Sequence, residues 1–105
     1  RVLGVDHPST LTSVNNLGCL LKDLNKLEEA ETMLRRNLEG ELNISGADHR
    51  NTHNARGNLG LLFMKRGDES GEGMVRDVLS SLLSPPHSLT ETHPWIKKFR
   101  QALEL

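Results

Sequence analysis

A stretch of this chain is written nearly twice. Gly4-Val5-Asp6-His7-Pro8-Ser9-Thr10, followed by Asn16-Leu17-Gly18, recurs as Gly46-Ala47-Asp48-His49-Arg50-Asn51-Thr52, followed by Asn58-Leu59-Gly60. The displacement is 42 residues throughout. A fixed period of this size is the mark of a solenoid, in which one supersecondary unit stacks on its copy because neither can bury its apolar face alone. Solenoids present a concave surface and bind with it.

The apolar spacing says what the unit is made of. A first helix starts at Pro8, since proline at the first helical position loses no needed hydrogen bond. Asp6, just upstream, complements the positive end of the helix dipole. Leu11, Val14, Leu17, Gly18, Leu20, Leu21 and Leu24 follow mostly at spacings of three and four, the signature of one helix face. Asn25 is the turn residue that stops it.

A second helix over about 27–42 buries Leu27, Ala30, Met33, Leu34, Leu38 and Leu42, leaves Glu28, Glu29, Arg35, Glu39 and Glu41 to solvent, and breaks at Ser45-Gly46. A third helix copies the first through Ala55, Leu59, Gly60, Leu62 and Phe63 and ends near Gly67. Its start differs: Arg50 stands for Pro8, and His53 for Leu11. A fourth, over about 68–83, copies the second with one residue deleted. Gly71 and Gly73 cost that helix about 1 kcal/mol each relative to Ala, and Pro85-Pro86 ends it.

His93-Pro94 repeats the opening signal, and Trp95, Ile96, Phe99, Ala102 and Leu103 form the stripe of a fifth helix, half of a third unit. Lacking a partner helix, it is expected to cap the array, with Lys97, Lys98 and Arg100 as its polar outer face. Trp95 either anchors it on the fourth helix or meets a partner. At the other end, Arg1-Val2-Leu3 corresponds to Asn43-Ile44-Ser45, so the chain is expected to enter in mid-unit, as a piece of a longer array or a processed one; a chain that simply starts there is the alternative.

Composition narrows the job. Lys+Arg number 13 and Asp+Glu 14, a balance with no general pull toward nucleic acid or an anionic membrane. No apolar run approaches the roughly 20 residues of a membrane-spanning helix. Aromatics are 3% of the chain, so cohesion rests on aliphatic side chains. Cys19 is the single cysteine and has no internal disulfide partner, which favours an intracellular, reducing compartment.

The unit Gly-x-Asp-His-Pro-x-Thr-Leu, then Asn-Asn-Leu-Gly, then Lys-Leu-Glu-Glu-Ala-Glu and Leu-Arg-Arg-Asn-Leu, resembles the tetratricopeptide repeat in its 42-residue form, typical of kinesin light chains and nephrocystin-3-like proteins. The likeness is strong over residues 4–42, weaker over 46–83, and reduced to the opening motif and stripe over 93–105. It departs at Asn37, where the family prefers Ala, at Arg50, and in the glycine-rich helix after Gly67. The resemblance implies an all-α fold: an α-solenoid of antiparallel helix pairs, five helices in about two and a half units. These form one array over 1–105, with units at about 4–45, 46–84 and 93–105. Gly18, Ala30, Gly60 and Gly71 match the family's small packing positions, and Trp95 joins them as a packing residue.

In peptide-binding relatives the first helix of each pair lines the groove, and an Asn before the Leu-Gly pair clamps the ligand backbone. Asn16 and Asn58 match that position, and a carboxamide both donates and accepts. Asn15, Lys22, Asn54 and Lys65 complete the candidate groove set, with Thr12, Cys19, Asp23, Gly57, Leu61 and Met64 also on these helices. The alternative is that Asn15 and Asn16 satisfy neighbouring helices or face water. Lys22 and Lys65 attract a carboxylate or acidic peptide, or are simply solvated, and Arg56 is a possible helper.

Two chemistries find little support. His49 and His53, four apart, share a helix face, yet Arg50 stands where a zincin needs Glu. Recurrence of His7, His49 and His93 is explained by a turn-forming role, so no metal site and no cofactor is expected. No nucleophile elbow, phosphate loop or paired-cysteine motif marks an enzyme. The expected function is a non-catalytic scaffold binding a segment of another protein in its groove; the alternative is a subunit embedded in a larger assembly.

Overall fold

The computed structural model describes residues 7–104. The expected dipole role of Asp6 and the mid-unit reading of Arg1-Val2-Leu3 lie outside the described residues. Within them the chain forms five α-helices and no strand: α1 Pro8–Asp23, α2 Leu27–Ser45, α3 Arg50–Lys65, α4 Ser70–Leu83 and α5 Pro94–Glu104.

Each unit opens in the same way. Nδ1 of His7 accepts the backbone N–H of Ser9 at 3.1 Å, Nδ1 of His49 that of Asn51 at 3.0 Å, and Nδ1 of His93 that of Trp95 at 3.0 Å. The imidazole therefore does what Ser or Asp commonly does at an N-cap, satisfying a backbone donor that the helix leaves unpaired. This is the turn-forming role expected of the repeated histidines. The first helices also end alike. Asn25 at φ 65° and Gly67 at φ 84°, 42 residues apart, take the left-handed conformation. The following N–H groups of Lys26 and Asp68 then reach back to the carbonyls of Leu21 and Phe63, both at 2.8 Å.

Each helix packs on the next in sequence. α1 also touches α3, and α3 touches α5, whereas α2 and α4 make no contact. The first helices are thus drawn together on an inner, concave side, and the second helices splay on the outer one. Apolar burial is divided between two clusters. One joins Ala30, Leu34, Leu59, Leu62 and Phe63 across α2 and α3; the other joins Leu61, Val75, Val78, Leu79, Leu82, Ile96 and Phe99 across α3, α4 and α5.

Close approach of α3 and α4 depends on two glycines: a Cβ on Gly71 would stand 2.6 Å from the Gly60 carbonyl oxygen and 2.6 Å from the Met64 nitrogen. Gly73 meets nothing within 4 Å. The glycine-rich sequence thus costs α4 intrinsic propensity at both positions, but only Gly71 returns packing for it.

Three expectations need correction. Leu17, Leu20 and Leu24 were expected in the buried stripe of α1, yet they are 45%, 53% and 59% exposed. Leu59 and Leu62, which stand 42 residues after Leu17 and Leu20, are buried because α2 lies against them. No helix occupies the corresponding place beside α1 among the described residues. Leu42, expected inside, is 40% exposed, on a helix that continues to Ser45. Lys98, expected on an outer face of α5, turns inward.

Candidate functional site

The concave side is built from α1, α3 and α5. At its centre is a chain of polar contacts. Asn15 Oδ1 accepts from Asn58 Nδ2 at 2.9 Å and from Asn37 Nδ2 at 3.3 Å. Asn58 Oδ1 in turn accepts from Lys98 Nζ at 2.8 Å, and Asn54 Oδ1 accepts from the same ammonium at 3.0 Å. Five side chains, Asn15 of α1, Asn37 of α2, Asn54 and Asn58 of α3 and Lys98 of α5, are therefore joined. Asn58 itself is 1% exposed, so both ends of its carboxamide need partners, and both have them.

Asn58, expected to clamp a ligand backbone, is turned to partners inside the protein. One of its Nδ2 N–H groups donates to Asn15, and its Oδ1 accepts from Lys98. Asn16, the other position matched to that role, is exposed on α1. Gly57 is likewise a packing residue, because a Cβ there would run into the Phe99 ring. The same physical event explains both: α5 lies on α3, and it seats Phe99 and Lys98 on residues that a bare groove would leave open.

Burial lowers the Lys98 ammonium to a pKa of about 8. The nearby Lys22 charge pushes in the same direction, and Cys19 opposes it. The Nζ also sits 4.6 Å from the Phe99 ring centroid. Lys65 donates through Nζ to the backbone carbonyl of Lys22 at 2.7 Å, tying the ends of α1 and α3.

Two hollows flank the polar chain. The larger, about 860 Å³, is lined by Lys22, Asp23, Leu61, Met64, Lys65, Lys98, Gln101, Ala102 and Glu104. The smaller, about 240 Å³, is lined by Leu11, Thr12, Asn15, Asn16, Asn37, Glu41, Asn51, Asn54 and Trp95. Lys98 belongs to the first, and Asn15 and Asn54 to the second, so the hydrogen bonds join the two. All six candidate groove residues lie in or between these hollows: Lys22 and Lys65 in one, Asn15, Asn16 and Asn54 in the other, Asn58 bridging.

The packing candidates lie at helix contacts. Gly18 faces Leu34, whose Cδ2 would be 2.7 Å from an added Cβ; Ala30 is fully buried; Gly60 and Gly71 face each other. Trp95 is half-buried against the α3–α4–α5 cluster and meets His93 edge-on at 5.1 Å.

Sequence reasoning missed Lys98 and Asn37 as members of this site. For Asn37 a signal existed, a carboxamide where the repeat prefers Ala. Lys98 offered none. His49 and His53 do not act together: His49 caps α3, while His53 is buried and pairs through Nε2 with Asp48 Oδ1 at 3.0 Å. No helix among the described residues is long and apolar enough to cross a membrane.

No curated protein matches the chain. Residues 10–51, spanning α1, α2 and the turn into α3, match the family model described as tetratricopeptide repeat. With the 42-residue recurrence and the stacked helical hairpins, this match places a tetratricopeptide repeat at residues 10–51 of an all-α, tetratricopeptide-type chain, a repeat that is in general a non-catalytic module for holding other proteins.

Proposed function

We propose that this chain is a recognition module whose concave side holds an extended segment of a partner protein. The larger hollow carries the reading. There the side chains of Lys22, Lys65 and Lys98 stand with the apolar Leu61, Met64 and Ala102. Lysines draw acidic side chains or a terminal carboxylate, and the apolar residues reward burial of a side chain between them. Asn16 offers a carboxamide to the segment's backbone, while Asn58 serves from beneath by holding Lys98. The lone Cys19 supports a reducing, intracellular setting.

The test begins with mass-spectrometric identification of what co-purifies with the native protein, followed by titration of peptides from that partner. Lys22→Ala combined with Lys65→Ala is expected to weaken binding at least about tenfold, a loss of about 1.4 kcal/mol. Unchanged affinity in a variant that is folded by circular dichroism rejects the groove.

A second reading, a subunit embedded in a larger assembly, is supported by a different observation. Leu17 and Leu20 on α1, Leu24 just after it, and Leu42 and Ile44 on α2 are exposed apolar side chains. The covered counterparts of Leu17 and Leu20 in the second unit lie under α2. The occupant this face fits is an amphipathic helix posed as α2 is on α3. Leu17→Glu with Leu20→Glu is expected to abolish such an assembly while leaving peptide binding in the groove intact.

A further inference from the structure

Apart from the chain of contacts around Asn58, three segments meet at a second polar cluster. Asp48 comes from the α2–α3 turn, His53 from the first turn of α3, and His87 from the loop between α4 and α5. His53 Nε2 lies 3.0 Å from Asp48 Oδ1, and His87 Nε2 lies 3.7 Å from the same oxygen. These three atoms all fall within 4.8 Å of one another. The two imidazoles meet edge-on with centroids 5.3 Å apart.

His87 makes the cluster more than an ion pair. Its Nε2 is buried and has no hydrogen-bond partner, and 3.7 Å to Asp48 is too long for one. A buried polar atom left unpaired is destabilising and calls for an explanation. We propose that Asp48, His53 and His87 form a binding site for a divalent transition-metal ion, Zn²⁺ foremost.

The geometry suits that ion. With metal–ligand bonds of about 2.0–2.2 Å, tetrahedral ligand atoms stand about 3.3 Å apart. The two distances to Asp48 bracket that value, and the two imidazoles, whose ligand atoms lie within 4.8 Å, draw together as the ion binds. Two imidazoles and one carboxylate favour Zn²⁺, Co²⁺, Ni²⁺ or Cu²⁺ over Mg²⁺ or Ca²⁺, which take oxygen ligands. The Asp48 side chain is 80% exposed, leaving the open side of the site to water as a fourth ligand.

One neighbour works against the metal. Arg56 approaches His53 Nδ1 at 3.3 Å, and a guanidinium only donates. In the metal-free protein Nδ1 is therefore the acceptor, and Nε2 carries the proton and donates it to Asp48. Coordination through Nε2 moves that proton to Nδ1 through solvent, with no net release, and turns Arg56 away. The consequence for the fold is a staple: the ion ties the α4–α5 loop, and with it the approach to α5, to the start of α3. It would stabilise the native chain according to its concentration relative to Kd.

The experiment uses untagged full chain treated with chelator. Zn²⁺ is titrated by calorimetry, and Co²⁺ by visible absorption. One ion per chain is expected, with a raised melting temperature. His87→Gln should weaken binding at least about tenfold, and Asp48→Asn likewise. Arg56→Gln should tighten it, an effect a merely structural role for the cluster does not predict. His7→Ala, at the opening of the other unit, should leave it unchanged. Absence of stoichiometric binding by the wild-type chain overturns the proposal. So does binding that survives in folded His87→Gln protein, or that is lost in His7→Ala.

Discussion

The ammonium of Lys98 reaches from α5 to Asn58 on α3, donating to its Oδ1 at 2.8 Å. The position that resembles a ligand clamp is thus occupied by the chain's own next unit. The contact also joins two units by polar means, beside the apolar seat of Phe99 over Gly57. It removes Lys98 from water, which is why its pKa falls to about 8.

That shift has a pH signature. The folded pKa of about 8 lies below the ordinary value of 10.5, so between these limits the unfolded chain binds more protons than the folded one. The stability contributed by this group is fully present above 10.5 and is lost as pH falls through about 8. Denaturant melts of wild type and Lys98→Met are therefore expected to diverge in favour of wild type as pH rises across that window, by about 3 kcal/mol. A constant difference would contradict a desolvated amine.

Asn58→Ala tests the other partner. It leaves Lys98 with Asn54 alone and strips a donor from Asn15. The expected loss is about 1–3 kcal/mol of unfolding free energy. Asn16→Ala, at an exposed site, should change stability by less than about 0.5 kcal/mol.

The two glycines of α4 should respond in opposite ways. Gly73→Ala fills open space in a helix and is expected to add about 0.5–1 kcal/mol. Gly71→Ala drives a Cβ against backbone atoms of α3, which cannot yield as a flexible side chain would, and should destabilise by more than the helix propensity gained. Thermal melts of the two single variants settle the comparison.

Equivalent leucines in successive units should also part ways. Leu62→Ala removes a fully buried side chain and is expected to cost about 2–5 kcal/mol. Leu20→Ala, 42 residues earlier and half exposed, should cost well under 1 kcal/mol. Equal losses would mean that α1 is covered in solution.

The histidine caps give a fifth comparison. His49→Ala removes the acceptor for the Asn51 N–H and is expected to cost about 0.5–2 kcal/mol, within the range of N-cap losses. His49→Asn, which restores a short acceptor, should recover most of it. If neither variant moves the melting temperature, the imidazole contributes nothing at this turn.

The helices, their starts at Pro8 and Pro94, the turns at Asn25, Gly46 and Gly67 and the order of the units were all legible in the chain. Each depends on residues within one or two turns of one another: a proline at the first helical position, a cap two residues away, an apolar step of three or four. The 42-residue period also places Asn15, Asn16, Asn54 and Asn58 on corresponding helices. Their division of labour was not legible. Whether an Asn faces a ligand or a lysine 40 residues away depends on how closely α5 lies on α3, and no local pattern encodes that distance.

The same limit governs the rest. Sequence by itself determined that this is a stack of helical hairpins, since helix formation and capping are set by short-range geometry and the period repeats it. Only the tertiary structure decided which leucines are covered and that Lys98 turns inward. It alone brings His87 beside Asp48 and His53. Burial and charge pairing depend on which surfaces meet across tens of residues, and helix periodicity shows only that a face is apolar, not what will lie against it.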